Sequence, residues 1–82
     1  MFAALALAAG ITIAWDYAQM PMQFNIYRDI NCRNLFVKVA TVDSKEYADQ
    51  AAKANVCYQY RVTAVDTAGT ESPVSNTLKV FT

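Results

Sequence analysis

Apolar and polar residues alternate along most of this 82-residue chain. In the segment ITIAWDY, Ile11, Ile13 and Trp15 occupy every second position, and smaller or polar residues separate them. A period of two is typical of a β-strand that buries one face. The pattern therefore predicts that Trp15 lies in a hydrophobic core.

The same period predicts further strands in FNIYRD, LFVKVATV, YQYRVTAVD and NTLKVFT. In the longest of these, Tyr58, Tyr60, Val62 and Ala64 share one face. The polar run DSKEYADQ is expected to be a connection anchored by Tyr47, and AAKAN is too short for an unaided helix and is expected to cross between two sheets. Six or seven short strands separated by turn signals predict an all-β, antiparallel sandwich.

The first ten residues, MFAALALAAG, are apolar and rich in alanine. They are shorter than the roughly 20 apolar residues that span a bilayer, and no Lys or Arg before Arg28 supplies the basic start of a secretory signal. Two alternatives stay open, a first edge strand or an arm that binds a neighbouring subunit through Phe2, Leu5 and Leu7. We divide the chain into this segment, residues 1–10, and one domain, residues 11–82.

Composition narrows the classes of function. Seven basic and seven acidic residues cancel, which argues against a nucleic-acid partner. The chain has no His, so the commonest general base and metal ligand is missing, and we expect no catalysis, metal or cofactor. Apolar residues make up 55% of a chain with much surface per unit volume, which favours a contact with protein partners or a homo-oligomer.

Two groups of residues with side-chain oxygens are candidates, one for acid/base catalysis and one for calcium binding. Asp43, Glu46 and Asp49 lie in the polar connection, where solvation would leave nothing to separate their pKa values for acid/base catalysis. A second group could be drawn as a calcium site, but its spacing matches no calcium loop. It comprises Asp66, Thr70 and Glu71. We expect the segment around Gly69 only to reverse the chain, with this glycine at a positive φ.

Basic and aromatic residues offer two further candidates. Arg28, Arg33 and Lys38 are interleaved with acids such as Asp29, which is typical of a solvated face. An exposed aromatic patch that stacks on sugars is the other candidate, although aromatic residues are also common in strands. Its members would be Tyr17, Tyr27 and Phe36.

Four segments of the chain resemble successive strands of a fibronectin type III domain. They are ITIAWDY, FNIYRD, FVKVATVDSKEYAD and CYQYRVTAVDTAGTESPVSNTLKV. The resemblance covers nearly all of residues 11–82 and implies an immunoglobulin-like sandwich. It implies that Trp15 is the core tryptophan of strand B, and that the hydroxyl of Tyr58, at the start of strand F, bonds to the preceding crossing. DTAGTESPVSN would be the F–G loop, and it lacks the Arg-Gly-Asp that binds integrins in some members.

Two functions follow as expectations from this resemblance. Small proteins similar to fibronectin type III domains occur in the virions of tailed bacteriophages, as head decorations, tail parts or adaptors. We expect a non-enzymatic virion subunit of this kind, assembled in the host cytoplasm and docked on itself or on other subunits. The alternative is a secreted or surface-attached bacterial module for adhesion or carbohydrate binding. An enzyme has little support because fold resemblance alone implies no activity.

The two cysteines bear on the compartment. In the fibronectin type III sheet, strands C and F are antiparallel neighbours, so the resemblance implies that Cys32 lies near Cys57. Whether they form a disulfide depends on their geometry and on an oxidising compartment. Assembly in a reducing cytosol, as for a virion subunit, favours two free thiols.

Overall fold

The two sheets of the protein are seen in a computed structural model that describes residues 3–7, 11–17 and 23–82. The described residues contain seven strands and form a three-stranded and a four-stranded antiparallel sheet. The predicted all-β sandwich is confirmed. The strands are β1 (Ala3–Leu7), β2 (Ile11–Asp16), β3 (Gln23–Ile30), β4 (Val37–Val42), β5 (Glu46–Asp49), β6 (Cys57–Val65) and β7 (Leu78–Phe81).

The three-stranded sheet has the order β1-β2-β5. Strand β1 pairs with β2 from Ala3 opposite Asp16 to Leu7 opposite Thr12. The backbone of residues 3–7 therefore forms a first edge strand, which is one of the two alternatives that the sequence left open. The contact of Leu5 and Leu7 with a neighbouring subunit stays a prediction, and Phe2 lies outside the described residues.

The four-stranded sheet has the order β4-β3-β6-β7. Its centre is the long pairing of β3 with β6, from Gln23 opposite Val65 to Ile30 opposite Tyr58. Strand β4 pairs with the other edge of β3, and the register shifts by a bulge between Ile26 and Tyr27. The sheet therefore ends at β4 on one side and at β7 on the other.

The hydrophobic core lies between the two sheets and is built from every second residue of β2, β3 and β6. Trp15 contacts Phe24 edge-to-face, with ring centroids 5.4 Å apart. The residues that the sequence placed in the core, Trp15, Tyr58, Tyr60 and Val62, are buried there. The complete buried cluster is Ile11, Ile13, Trp15, Phe24, Ile26, Tyr58, Tyr60, Val62 and Ala64.

Two boundaries differ from the sequence-based expectation. The strand expected from Leu35 begins at Val37, because Asn34 has a φ of 60° and the Leu35 amide donates to the Asp29 carboxylate. The polar run expected to be a connection contains β5, which pairs with β2 and turns Tyr47 toward the core. Tyr47 packs against the core, as predicted for the anchor of this segment, but it lies in a strand and not in a loop.

Residues 50–56 carry the chain from β5 in one sheet to β6 in the other without a helix, as predicted for this crossing. Within residues 3–7, 11–17 and 23–82, no helix is long and apolar enough to cross a membrane.

Candidate functional site

A charged cluster joins the two sheets at the end of the core. Arg28 of β3 donates from one guanidinium nitrogen to both carboxylate oxygens of Asp49 in β5, at 3.0 and 2.9 Å. The Tyr60 hydroxyl donates to the same carboxylate, and the Ala51 amide donates to it at 3.1 Å. Asp49 is almost fully buried, so its charge is balanced by Arg28 and not by water.

These contacts hold the cluster in one protonation state. Burial by itself would raise the pKa of Asp49, but the hydrogen bonds from Tyr60 and Arg28 outweigh burial and lower it. Burial and the adjacent Asp49 carboxylate raise the pKa of Tyr60 far above its ordinary value. At neutral pH the carboxylate is therefore ionised and the phenol is protonated, which is a structural arrangement and not an acid/base pair.

The cluster corrects two expectations from the sequence. Asp49 was placed in a solvated connection, but β5 turns it inward on the same side as Tyr47. Arg28 was placed on a solvated face, but it shares the alternation of Phe24 and Ile26 and also points inward. The alternation of the strands was the only feature of the sequence that indicated an inward orientation for Asp49 and Arg28. Their charge favoured a solvated position instead. Asp43 and Glu46 are exposed, so the structure brings neither of them to Asp49.

A second buried carboxylate organises the turn between β3 and β4. Asp29 is 0% exposed, whereas the sequence placed it on a solvated face. Its oxygens accept hydrogen bonds from the amides of Arg33 and Leu35 and from the Gln59 side chain at 2.7 Å. Burial would raise the pKa of Asp29, but these hydrogen bonds lower it. The carboxylate thus holds a turn in which Asn31, Cys32 and Asn34 all have positive φ.

A disulfide closes the same end of the sheet. Cys32 in this turn is bonded to Cys57 at the start of β6, with Cα atoms 5.5 Å apart. The sequence favoured free thiols, and the structure differs because the pairing of Ile30 with Tyr58 brings the two Cα atoms within bonding range.

The F–G loop folds back onto the outer face of the four-stranded sheet. Glu71 accepts hydrogen bonds from Asn25 at 2.6 Å and from the Tyr27 hydroxyl at 2.7 and 2.8 Å. The Tyr27 hydrogen bond is the main cause that lowers the pKa of Glu71. Burial first, and then Glu71, raise the pKa of Tyr27. Glu71 therefore ties the loop to β3.

The loop tip is held by its own residues. The Asp66 carboxylate accepts from the amides of Ala68 and Thr70, each at 2.9 Å, and Gly69 has a φ of 81°, as predicted. Because Asp66 faces its own loop and Glu71 faces the sheet, their oxygens do not converge as a calcium site would require. Among the described residues, no cluster of acids, His and Cys could hold a metal ion.

The structure does not assemble the aromatic patch. Tyr17 packs on Phe24 at the core, with ring centroids 5.9 Å apart. Tyr27 lies on the outer face of the other sheet, and Arg61 covers the Phe36 ring at 4.0 Å from its centroid. The three rings expected to stack on sugars therefore do not form one surface.

The hydroxyl of Tyr58 reaches back to the crossing before β6. It accepts a hydrogen bond from the Lys53 amide at 2.7 Å, which is the contact that the resemblance implied for this tyrosine. The buried Trp15 indole has no hydrogen-bond partner among the described residues. Both residues belong to the core and not to a ligand site.

An apolar concavity lies on the inner side of β3 and β4, past the end of the three-stranded sheet at β5. It has a volume of about 400 Å³ and its apolar residues include Ile30, Leu35 and Val37. Their exposed fractions are 42%, 62% and 64%. Arg28 and Arg33 also line the concavity, whereas Lys38 lies opposite Tyr27 on the outer side of the sheet. The sequence did not predict this surface. Alternation assigns Ile30 and Val37 to the inner face of the sheet, where apolar side chains are expected to be buried.

The sequence was compared with protein families and with curated proteins. No protein-family model matches the sequence. An amylopullulanase from Thermoanaerobacter thermohydrosulfuricus is 32% identical over 72 residues, which are 87% of this chain and 5% of that enzyme. The chain thus spans only a small part of the length of this curated relative.

Two solved structures are similar over almost the whole chain. The crystal structure of a Fn3-like protein from Clostridium thermocellum has a TM-score of 0.78 and 23% identity, over 96% of this chain and 84% of that one. A solved myokine structure has a TM-score of 0.75 and 19% identity, over 99% of this chain and 90% of that one. The two sheets, the Tyr58 contact and these likenesses together show that this chain has the fibronectin type III fold.

Proposed function

We propose that this chain is a non-catalytic interaction and spacing module of an extracellular, carbohydrate-degrading system. The observation that carries the proposal is the match of 72 residues to a segment that is only 5% of an amylopullulanase. A segment of that size, with a fold that hosts many functions, is suited to an accessory part of a large enzyme and not to its catalytic centre.

The site chemistry supports an accessory role. The buried carboxylates of Asp49 and Asp29 are both held ionised by hydrogen bonds, and each is committed to joining strands or turns. The Phe36 ring is covered by Arg61, the Tyr27 hydroxyl is committed to Glu71, and Tyr17 packs on the core, so a shared platform for stacking on sugars is not favoured. We therefore propose contacts with protein, and not direct binding of glucan, as the role of the module.

The Cys32–Cys57 disulfide supports an extracellular location, because disulfides form and persist in oxidising compartments. The virion subunit that the sequence favoured stays a prediction, and its cytoplasmic assembly would leave the thiols reduced. The cysteine state in the natural protein therefore separates the two functions.

The test is an alkylation of the protein at the moment of its isolation from the natural source, followed by intact mass with and without reductant. We expect no alkylation before reduction and two alkylated thiols after it. Two alkylated thiols before reduction would contradict the extracellular module and favour the virion subunit. Native gels that contain soluble starch or pullulan should show no retardation of the protein, and retardation would replace the protein-contact role by glucan binding.

A further inference from the structure

We propose that the concavity beneath β3 and β4 is a docking groove for an extended peptide segment of a partner protein, with aliphatic side chains and carboxylates. This inference deepens the proposed interaction role and rests on it. It follows from three features of the described residues: exposed apolar side chains on an inner face, an exposed guanidinium without a direct ion pair, and the open edge of β4.

The apolar residues of the groove lie on the inner face of the four-stranded sheet, which in a sandwich normally packs on the opposite sheet. Arg28 and Val37 are paired opposite each other on the inner side of the sheet, next to Ile30. The three-stranded sheet ends at β5, whose Asp49 contacts Arg28 at one side of the concavity. Ile30, at 42% exposed, and Val37, at 64%, are left open to solvent. A contiguous apolar surface of this kind is typical of an interaction site.

The charge of the groove specifies the occupant. Arg28 is neutralised by its ion pair with Asp49. The Arg33 guanidinium forms no ion pair with any described carboxylate, and the lining contains no acid. The groove is therefore apolar with one exposed guanidinium that has no direct ion pair among the described residues, which is complementary to a segment that carries a carboxylate between aliphatic side chains.

The strand edges favour an extended segment. Strand β4 is the edge of the four-stranded sheet and β5 is the edge of the three-stranded sheet. Unpaired N–H and C=O groups on such edges pair readily with an added strand, and alternate side chains of that strand enter the groove. Strand β4 contributes Val37 and Val39 to the lining, so an added strand on this edge would lie beside the groove.

Other occupants fit less well. A sugar would need an aromatic platform, but the lining contains no Phe, Tyr or Trp. A second copy that packed groove on groove would bring Arg33 of each chain to the same two-fold contact, where like charges repel. A partner peptide with acidic residues meets neither objection.

The experiment is a titration of the ¹⁵N-labelled chain with two capped pentapeptides that have valine at positions 1 and 5 and serine at positions 2 and 4, with glutamate at position 3 in one and lysine at position 3 in the other, so that positions 1, 3 and 5 share one face of the extended peptide. We expect saturable shifts of the amide signals of Ile30, Leu35 and Val37 with the acidic peptide. The lysine peptide should bind about two- to fivefold more weakly, the effect expected for one exposed charge pair. Arg33→Glu should reverse this preference, and the NMR spectrum itself reports whether the variant is folded.

Lys79→Glu is the matched control, since this exposed lysine of β7 lies opposite Gln59 and away from the groove. It should leave both affinities unchanged. Saturation by neither peptide, equal binding of both, or shifts confined to other surfaces would overturn the proposal. Concentration-dependent dimerisation that Arg33→Glu abolishes would overturn it in favour of a second copy. None of these outcomes depends on the alkylation test, so the groove and the extracellular module can fail separately.

Discussion

Arg28 of β3 and Asp49 of β5 form an ion pair at 2.9 Å that joins the two sheets of the sandwich. The residues are 21 positions apart in the sequence, and the Tyr60 hydroxyl from a third strand completes the contact. The contact therefore links three strands, β3, β5 and β6, at the end of the hydrophobic core.

Asp49→Ala should lower the free energy of unfolding by about 3 kcal/mol, because it leaves Arg28 and the Tyr60 hydroxyl without a buried acceptor. Urea denaturation followed by Trp15 fluorescence measures the change. Glu46→Ala, an exposed carboxylate of the same strand, is the control and should change stability by less than about 0.5 kcal/mol. The double variant Arg28→Met/Asp49→Leu should cost less than Asp49→Ala, and a simple sum of the single effects would contradict the coupling.

Stability should depend on pH through Asp29. Its pKa is lowered in the folded chain, mainly because the Gln59 side chain and backbone amides outweigh burial. A carboxylate of this kind contributes stability above its unfolded pKa of about 3.9, and that contribution is lost as pH falls through the lower, folded pKa. The free energy of unfolding should therefore be flat above about pH 5 and decline below about pH 4.

The comparison variant is Asp29→Asn, measured by urea denaturation across the same pH range. It should be less stable than the parent at neutral pH, and the difference should shrink as the solution is acidified. Asp43→Asn, at an exposed position, is the control and should change the free energy of unfolding at neutral pH by less than about 0.5 kcal/mol. An unchanged pH profile in Asp29→Asn would show that this carboxylate is not the group that titrates.

The disulfide should add about 3 kcal/mol, as expected for a bond that closes a loop of this length, since the sequence separation is 25. Reduction by dithiothreitol should lower the urea midpoint by a corresponding amount. Cys32→Ala/Cys57→Ala should match the reduced parent and should not respond to the reductant. A midpoint that reduction leaves unchanged would mean that the bond does not constrain the unfolded chain.

Trp15→Ala should unfold the chain or nearly so, because truncation of a buried Trp costs about 3 to 5 kcal/mol in a domain of small total stability. Circular dichroism and urea denaturation report the loss. Thr70→Ala, at an exposed loop position, should change stability by less than about 0.5 kcal/mol. A normal denaturation midpoint for Trp15→Ala would refute the assignment of Trp15 to the core.

Deletion of residues 2–8 separates the two roles of the amino-terminal segment. Because β1 pairs with β2 along its whole length, removal should expose the edge of β2 and lower the midpoint of unfolding. Size-exclusion chromatography with light scattering measures assembly in the same samples. A deleted chain of unchanged stability that no longer assembles would instead support the subunit-binding arm expected from Phe2, Leu5 and Leu7.

The sequence by itself determined five of the seven strands of the described residues and the faces of the core, whereas β5 was expected to be a connection and β1 was left open. Alternation identified the inward residues of β2 and β6, and the lack of a side chain at Gly69 identified the turn with a positive φ. These features are local, since the period of a strand and the conformational freedom of glycine do not depend on distant residues. The contact of the Tyr58 hydroxyl with the crossing was available only through the family resemblance.

Only the tertiary structure decided which polar residues are buried. Asp29 and Asp49 are ordinary surface residues by type, and each is buried because another strand or turn supplies its partner, as the half-buried Arg28 does for Asp49. The Cys32–Cys57 bond depends on the register of β3 against β6, and the open groove at Ile30 depends on how far the three-stranded sheet extends over the other. The free energy of burying a charge is set by the groups that surround it in space, and the positions of those groups are fixed only when the two sheets pack.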